Sequence, residues 1–325
     1  MRILVTGGSG FIGTNLIGHL SGSGYVVSNI DYRYPRNPNY ISKWHKIDIR
    51  DMNSLKDNIL QFQPQYVVHL AARTDLDGVS IDDYNSNTLG VKNLVDICLE
   101  CDSIKRIIFT SSRLVCKIGY LPSSDNDYLP TTLYGESKVI GEKIIRASAA
   151  NAPWTWCIVR PTSIWGPWFD VPYRTFFDSV ISGRYIHPKG IRIQKSFGYV
   201  GNTTYQLGCL LKAASNLIDQ KTFYLSDYPP IEVLTMANHI RAQLCLPSIN
   251  QVPVFLLKIL SRIGDFAKYS GIKNPPLTSF RLDNLLTPMV HDLTFLEEIV
   301  GPLPYDMDSG IKHTLDWMTS STKSK

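Results

Sequence analysis

The sequence predicts an α/β fold, a doubly wound parallel sheet of Rossmann type followed by a smaller, mostly helical C-terminal lobe. Three observations predict it. Apolar, β-rich runs alternate with helical stretches through the first half, the pattern of a parallel sheet. A glycine-rich turn follows the first run without a spacer. After Pro161 the alternation gives way to clustered prolines and long helical segments. The expected division is a sheet domain over 1–162, with later returns near 195–225, and a second lobe over 163–194 and 226–325.

Residues 1–6 read as a buried strand, and Gly7-Gly8-Ser9-Gly10-Phe11-Ile12-Gly13 leads straight into a helix near 12–22. Such a turn aims backbone N–H groups at open space. The positive helix end and the missing Cβ atoms let a pyrophosphate approach. The spacing is Gly7-x-x-Gly10-x-x-Gly13, not the commoner G-x-G-x-x-G. The next strand, 25–30, closes on Asp31, at about the distance expected of a ribose-binding acid. A carboxylate there accepts both ribose hydroxyls and repels a 2′-phosphate, which favours NAD. Arg33 and Arg36 leave NADP open if Asp31 turns away. Further strands fall at 66–70, 106–109 and 155–159, with helices near 52–62, 84–100 and 133–149 between them. Pro64, Asp102-Ser103 and 151–153 supply the breaks.

The helix near 133–149 carries the chemistry. Residues four apart share a helix face, so Tyr134 and Lys138 point into one cleft. An ammonium beside a phenol lowers the phenol pKa and makes it a usable general acid or base. The same spacing recurs at Tyr185/Lys189 and Tyr269/Lys273, but Pro188 and Gly271 unsuit those segments to a helix interior. Only Tyr134 opens a long uninterrupted helical stretch, after a strand ending in Thr110-Ser111-Ser112. Ligands bind at the carboxyl ends of parallel strands, so a serine hydroxyl meets the phenol there.

In these residues the chain resembles the extended short-chain dehydrogenase/reductase superfamily, in its NAD-dependent nucleotide-sugar epimerase/dehydratase branch, over nearly its whole length. The glycine turn, Asp31, Asp48-Ile49, His69-Leu70-Ala71-Ala72, Asn87, Ser111-Ser112, Tyr134-x-x-x-Lys138 and Arg160-Pro161 occur in that family's order. The resemblance implies hydride transfer between a sugar carbon, expected to be C4, and nicotinamide. Ser112 and Tyr134 would hold the sugar oxygen, with Lys138 on the nicotinamide ribose. Asp48 and Ile49 would flank adenine, and Leu70, Ala71, Ala72 and Pro161 would line the cofactor. Asn87 either supports the site beside the cofactor or bonds within its own helix. Asp48 either meets adenine or only ends a strand, and His69 reads as a buried strand residue. Arg73, Asp75 and Asp77 either line the cleft or are plain loop charges.

Departures from the family narrow the chemistry. The acidic pair that dehydratases carry after the catalytic serine is Arg113-Leu114 here, which cannot readily move the C5 proton and the C6 water. Cys116-Lys117 replaces the usual Tyr-Gly. Lys195 stands for an arginine that grips the nucleotide diphosphate, Arg281 resembles the second such arginine, and Ser163 stands where several epimerases carry Asn. The substrate residues implied are therefore Ser112, Ser163, Lys195 and Arg281.

Composition is that of an ordinary globular protein, with 44% hydrophobic and 19% charged residues. The net charge of +5 is scattered, which argues against a nucleic-acid partner. No apolar run approaches the ~18 residues of a membrane span; residues 252–257 are too few, and Lys258 interrupts them. With a strand starting at residue 2, a cytoplasmic protein without a membrane partner is expected. Cys98-x-x-Cys101 lies in an apolar-periodic helix with no second pair, so no metal is expected. The leading functions are a nucleotide-sugar epimerase or 4-keto-sugar reductase, with a small-alcohol or steroid dehydrogenase and a non-catalytic dinucleotide-binding regulator as alternatives. Asp31 and the glycine turn tilt toward an epimerase that recycles NAD, and family members of this kind pair as homodimers.

Overall fold

A computed structural model describes residues 1–271 and 277–323. Its first half alternates β1 (Arg2–Thr6), α1 (Phe11–Gly22), β2 (Val26–Asp31), β3 (Trp44–Lys46), α2 (Met52–Phe62), β4 (Tyr66–His69), α3 (Leu89–Leu99), β5 (Arg106–Thr110), α4 (Leu133–Ser148) and β6 (Thr155–Pro161). The chain then makes β7 (Ser163–Trp165), α5 (Tyr173–Ile181), β8 (His187–Pro188), β9 (Gln194–Lys195), β10 (Phe197–Tyr199), α6 (Val200–Lys212), α7 (Ser215–Ile218) and β11 (Lys221–Leu225). It closes with β12 (Ile231–Glu232), α8 (Val233–Gln243), β13 (Gln251–Val252), α9 (Val254–Tyr269), α10 (Ser279–Leu286), α11 (Thr294–Val300) and α12 (Met307–Lys323).

Seven parallel strands form the main sheet in the order β11-β6-β5-β4-β1-β2-β3. Strand residues alternate between its faces. Leu4, Val67, Ile107, Phe109 and Ile158 pack with residues of α2, α3 and α4 on one side. Ile3, Val5, Val68, Ile108 and Val159 pack with α1 and α6 on the other. The strand order reverses between β1 and β4, which opens a crevice at their carboxyl ends. A second core joins β7, β10, α5, α8 and α12 around Trp165, Phe177, Tyr199, Ile240 and Ile311.

Two parts of the chain depart from expectation. The helix expected over 84–100 is a single 3₁₀ turn at Ile81–Tyr84 followed by α3 from Leu89. A reciprocal cap of Ser80 and Asp83 opens that turn, and α3 starts afresh on Thr88. Asn87 therefore precedes the helix instead of lying in it. The strand β3 was not anticipated, since its three residues are too few to show a period.

Candidate active site

The glycine turn takes the shape its residues demand. Gly7 has φ +74°, and a Cβ there would lie 2.5 Å from the Ala71 nitrogen. A Cβ on Gly13 would lie 2.3 Å from the Gly7 carbonyl. Only glycine fits either place, so the turn, α1 and the β4 loop close onto one another at the crevice. Gly10 caps α1, whose N-terminus faces the opening.

A cleft of about 650 Å³ lies along this crevice, a size suited to a cofactor. Gly7, Gly10, Phe11, Ile12 and Gly13 form its floor, and Asp31 stands at its far wall. The Asp31 carboxylate is set in place by the backbone N–H groups of Ser9 (3.0 Å) and Arg33 (2.9 Å). Burial raises its pKa, and those two hydrogen bonds act against the rise. Asp48, Ile49, Leu70, Ala71, Ala72 and Pro161 also line the cleft. Asp48 is held by Arg50, with contacts down to 2.6 Å that keep its carboxyl below the usual range. Arg36 reaches over the opening to the Trp168 carbonyl at 2.6 Å and pairs with Asp170. It is committed there, while the Arg33 guanidinium lies beside Tyr32. The residues present thus fit NAD: a glycine cradle, a fixed carboxylate at the ribose position and an apolar Ile49 wall.

At the other end of the cleft α4 starts on a Thr132 cap, whose Oγ1 accepts the Gly135 N–H at 3.0 Å. Tyr134 and Lys138 share its inner face and both are buried. Ser112 caps the turn after β5, its Oγ accepting the Leu114 N–H at 3.1 Å, and it acts to lower the pKa of the Tyr134 phenol. The three side chains and the glycine turn converge on one cleft. The expected lowering of the phenol by Lys138 is overridden by burial. Burial pushes Tyr134 up to about 12, with Ser112 and Arg113 pulling weakly the other way. The Lys138 ammonium instead donates to the Thr110 carbonyl at 2.8 Å, and burial lowers its own pKa to about 8.

Asn87 is fully buried and spends its amide on the protein. Its Oδ1 accepts the Arg73 N–H at 2.8 Å, and its Nδ2 donates to the Arg73 carbonyl at 2.9 Å and the Ser137 hydroxyl at 2.8 Å. Ser137 in turn donates to the Tyr134 carbonyl at 2.7 Å. These bonds clamp the β4 loop to α4. Arg73 and Asp75 line the cleft and pair at 3.0 Å. His69 is a buried strand residue that shares a 2.7 Å hydrogen bond with Thr6, and burial holds its pKa near 3.

The residues expected to meet the substrate in the second lobe are spread over several elements. Ser163 is buried at the start of β7, between Thr162 and Ile164, which line the cleft. Lys195 donates to the Asn284 carbonyl of α10 at 2.6 Å, and burial followed by the charge of Arg113 lowers its pKa to about 8. Arg281 is exposed on that same helix. Lys273, of the third tyrosine–lysine pair, falls outside the described residues.

Three features escaped the sequence reading. Tyr84 packs against Tyr134 with ring centroids 6.2 Å apart. Glu142 and Arg160 form a buried pair at 2.8 Å, each 1% exposed, one turn beyond Lys138. Arg113 lowers the pKa of Tyr134, Lys195 and His291 through its charge. A carboxylate on the inner face of α4 was the one visible signal for the second.

Residues 3–188 match the model of the NAD dependent epimerase/dehydratase family. Among curated proteins, a 3-beta-hydroxysteroid dehydrogenase of Mycolicibacterium neoaurum is 28% identical over 73% of this chain and 68% of its own. An N-acetyl-alpha-D-glucosaminyl-diphospho-ditrans,octacis-undecaprenol 4-epimerase of Escherichia coli O157:H7 is 24% identical over 97% and 95%. The solved UDP-glucose 4-epimerase of Thermotoga maritima, crystallised with UDP-glucose, superposes with a TM-score of 0.74 at 18% identity, over 99% of this chain and 100% of its own. The UDP-glucuronic acid 4-epimerase of Bacillus cereus, with UDP-glucuronic acid and NAD, gives 0.72 at 19% identity over 99% and 100%. Likeness to these solved structures is one of fold.

Proposed function

The chain belongs to the NAD-dependent epimerase/dehydratase family, and on that premise we propose that it transfers hydride at C4 of a nucleotide-linked sugar, as an epimerase. NAD is the cofactor, and when bound it supplies the hydride acceptor and donor. The observation that carries the reading is the meeting of Ser112, Tyr134 and Lys138 in the cleft that the glycine turn and Asp31 define. In this reading Ser112 and Tyr134 hold the reacting oxygen. To take a proton from a sugar hydroxyl the phenol must shift toward phenolate, and Ser112 and Arg113 both act in that direction. Lys138 orients the ribose beside it. Lys195 and Arg281 meet the diphosphate, and Ser163 stands near the sugar. Residues 163–194 and 226–325 serve as the substrate lobe. Two copies pair through α3 and α4, where Leu89 and Leu99 are exposed.

A second reading, reduction of a 4-keto sugar, is favoured by one observation: the buried phenol holds its proton up to about 12, which suits a donor. One experiment divides the two. Purified protein is incubated with UDP-, GDP-, CDP- and dTDP-sugars, with and without NADH or NADPH. The panel includes a polyprenyl diphosphate-linked sugar, because the E. coli relative is named for one. Interconversion of C4 epimers without net change in nicotinamide absorbance supports the epimerase. Stoichiometric NADH consumption supports the reductase, and no reaction with any sugar removes both.

A further inference from the structure

We propose that α9 is an interfacial helix that seats this protein on an anionic lipid bilayer. The proposal goes beyond the reaction and does not depend on it. α9 touches the rest of the chain along a thin seam, with only Leu257, Ser261 and Gly264 buried. A Cβ on Gly264 would lie 1.7 Å from the Leu277 carbonyl, so that seam is very close. Asp265 fixes the helix by accepting the Ser279 N–H at 3.1 Å.

The opposite face is the unusual one. Phe255, Ile259, Ile263 and Phe266 follow one another at helical spacing, and they are 62%, 53%, 59% and 71% exposed. Leu256 and Leu260 widen the row. An apolar face directed outward on a helix is the reverse of the usual arrangement, in which the apolar stripe meets the core. A contiguous exposed patch of this kind marks an interaction surface.

Charge selects the occupant. Lys258 and Arg262 are exposed beside the apolar row, one turn apart. Lys189 joins them at the start of the helix, where its backbone N–H donates to the Val252 carbonyl at 2.9 Å. Apolar side chains flanked by cations match acyl chains lying beneath anionic headgroups. The helix has 16 residues, fewer than the ~20 a span needs, and no helix among the described residues is long and apolar enough to cross a membrane. It therefore lies along the surface.

The test is flotation of the full chain with vesicles of phosphatidylcholine alone or mixed with phosphatidylglycerol. Co-flotation with the mixed vesicles is expected, weaker with phosphatidylcholine and weaker in high salt. Joint replacement Ile259→Glu, Ile263→Glu and Phe266→Glu is expected to lower partitioning roughly tenfold or more. Lys258→Glu with Arg262→Glu is expected to remove the preference for anionic lipid. All replaced side chains are exposed, and circular dichroism of each variant reports its folding. As a second measurement, Ile263→Cys carrying a polarity-sensitive dye is expected to shift to the blue on anionic vesicles. Failure of the parent protein to float, flotation of the triple-glutamate variant at parental level, or an oligomer that the same variant dissociates without any vesicle-induced dye shift overturns the proposal.

Discussion

The Tyr134 phenol is buried beside Tyr84 and left by its helical neighbour Lys138, whose ammonium turns to the Thr110 carbonyl. Replacing Tyr134 with Phe keeps the ring and removes the proton carrier. Turnover should fall ~10²–10⁴-fold, with NAD affinity by calorimetry nearly unchanged. Lys138 gives a different signature. Its pKa drops from the ordinary 10.5 to about 8 because it is buried. Between those values the unfolded chain holds more protons than the folded one, so this group makes stability rise with pH across that window. Lys138→Met lacks the buried charge. Below about pH 8 it should melt at or above the parental temperature, and the difference should shrink as pH climbs from 8 toward 10.5. Its NAD affinity and turnover should both fall. The Tyr134–Lys138 pair was legible in the sequence because helical period shows which side chains share a face. The acceptor each one finds was not, because Thr110 lies on another element.

At the scale of elements, α4 is fastened twice. The Asn87 amide ties its start to the β4 loop, and the Glu142–Arg160 pair ties its middle to β6. Arg160 also donates to the Asp125 carbonyl at 2.7 Å, so the same guanidinium anchors the loop before the helix. Glu142 raises the pKa of Lys138, acting against the burial that lowers it. Glu142→Gln leaves a buried guanidinium uncompensated, a loss on the order of 3–5 kcal/mol. Urea melts of the single variants and of Glu142→Gln with Arg160→Met should show the double variant recovering part of that loss. Asn87→Leu should cost about 1–3 kcal/mol, because the Arg73 N–H loses its acceptor. The strands and most helices were readable from alternation and breaks. The clamp was not, since one asparagine in a turn carries no period.

Over the whole molecule, the link between Arg36 and Asp170 joins the strap after β2 to the segment before α5 across the mouth of the cleft. The partners are 134 residues apart, and nothing local in the sequence relates them. Freed by Asp170→Ala, Arg36 should become available to a 2′-phosphate. NADPH affinity should then rise relative to NADH in fluorescence titrations, and Asp31→Ala should add to the change by removing the repelling carboxylate. The outward face of α9 belongs to this scale too. Residues 252–257 show an apolar run too short to span a bilayer, and only the fold reveals that the run continues along a face the core leaves uncovered.

The order in which the chain is laid down has a consequence of its own. The last strand of the main sheet is β11, so a ribosome delivers all seven strands well before it delivers α12. The second core lacks Ile311 and Leu315 until then, with Trp165 and Phe177 already made. Translation at ~5–20 residues per second leaves that half-built surface waiting for several seconds. A newborn molecule therefore holds a complete set of main-sheet strands beside an adhesive, unfinished core. In that interval a holdase chaperone has the most to protect.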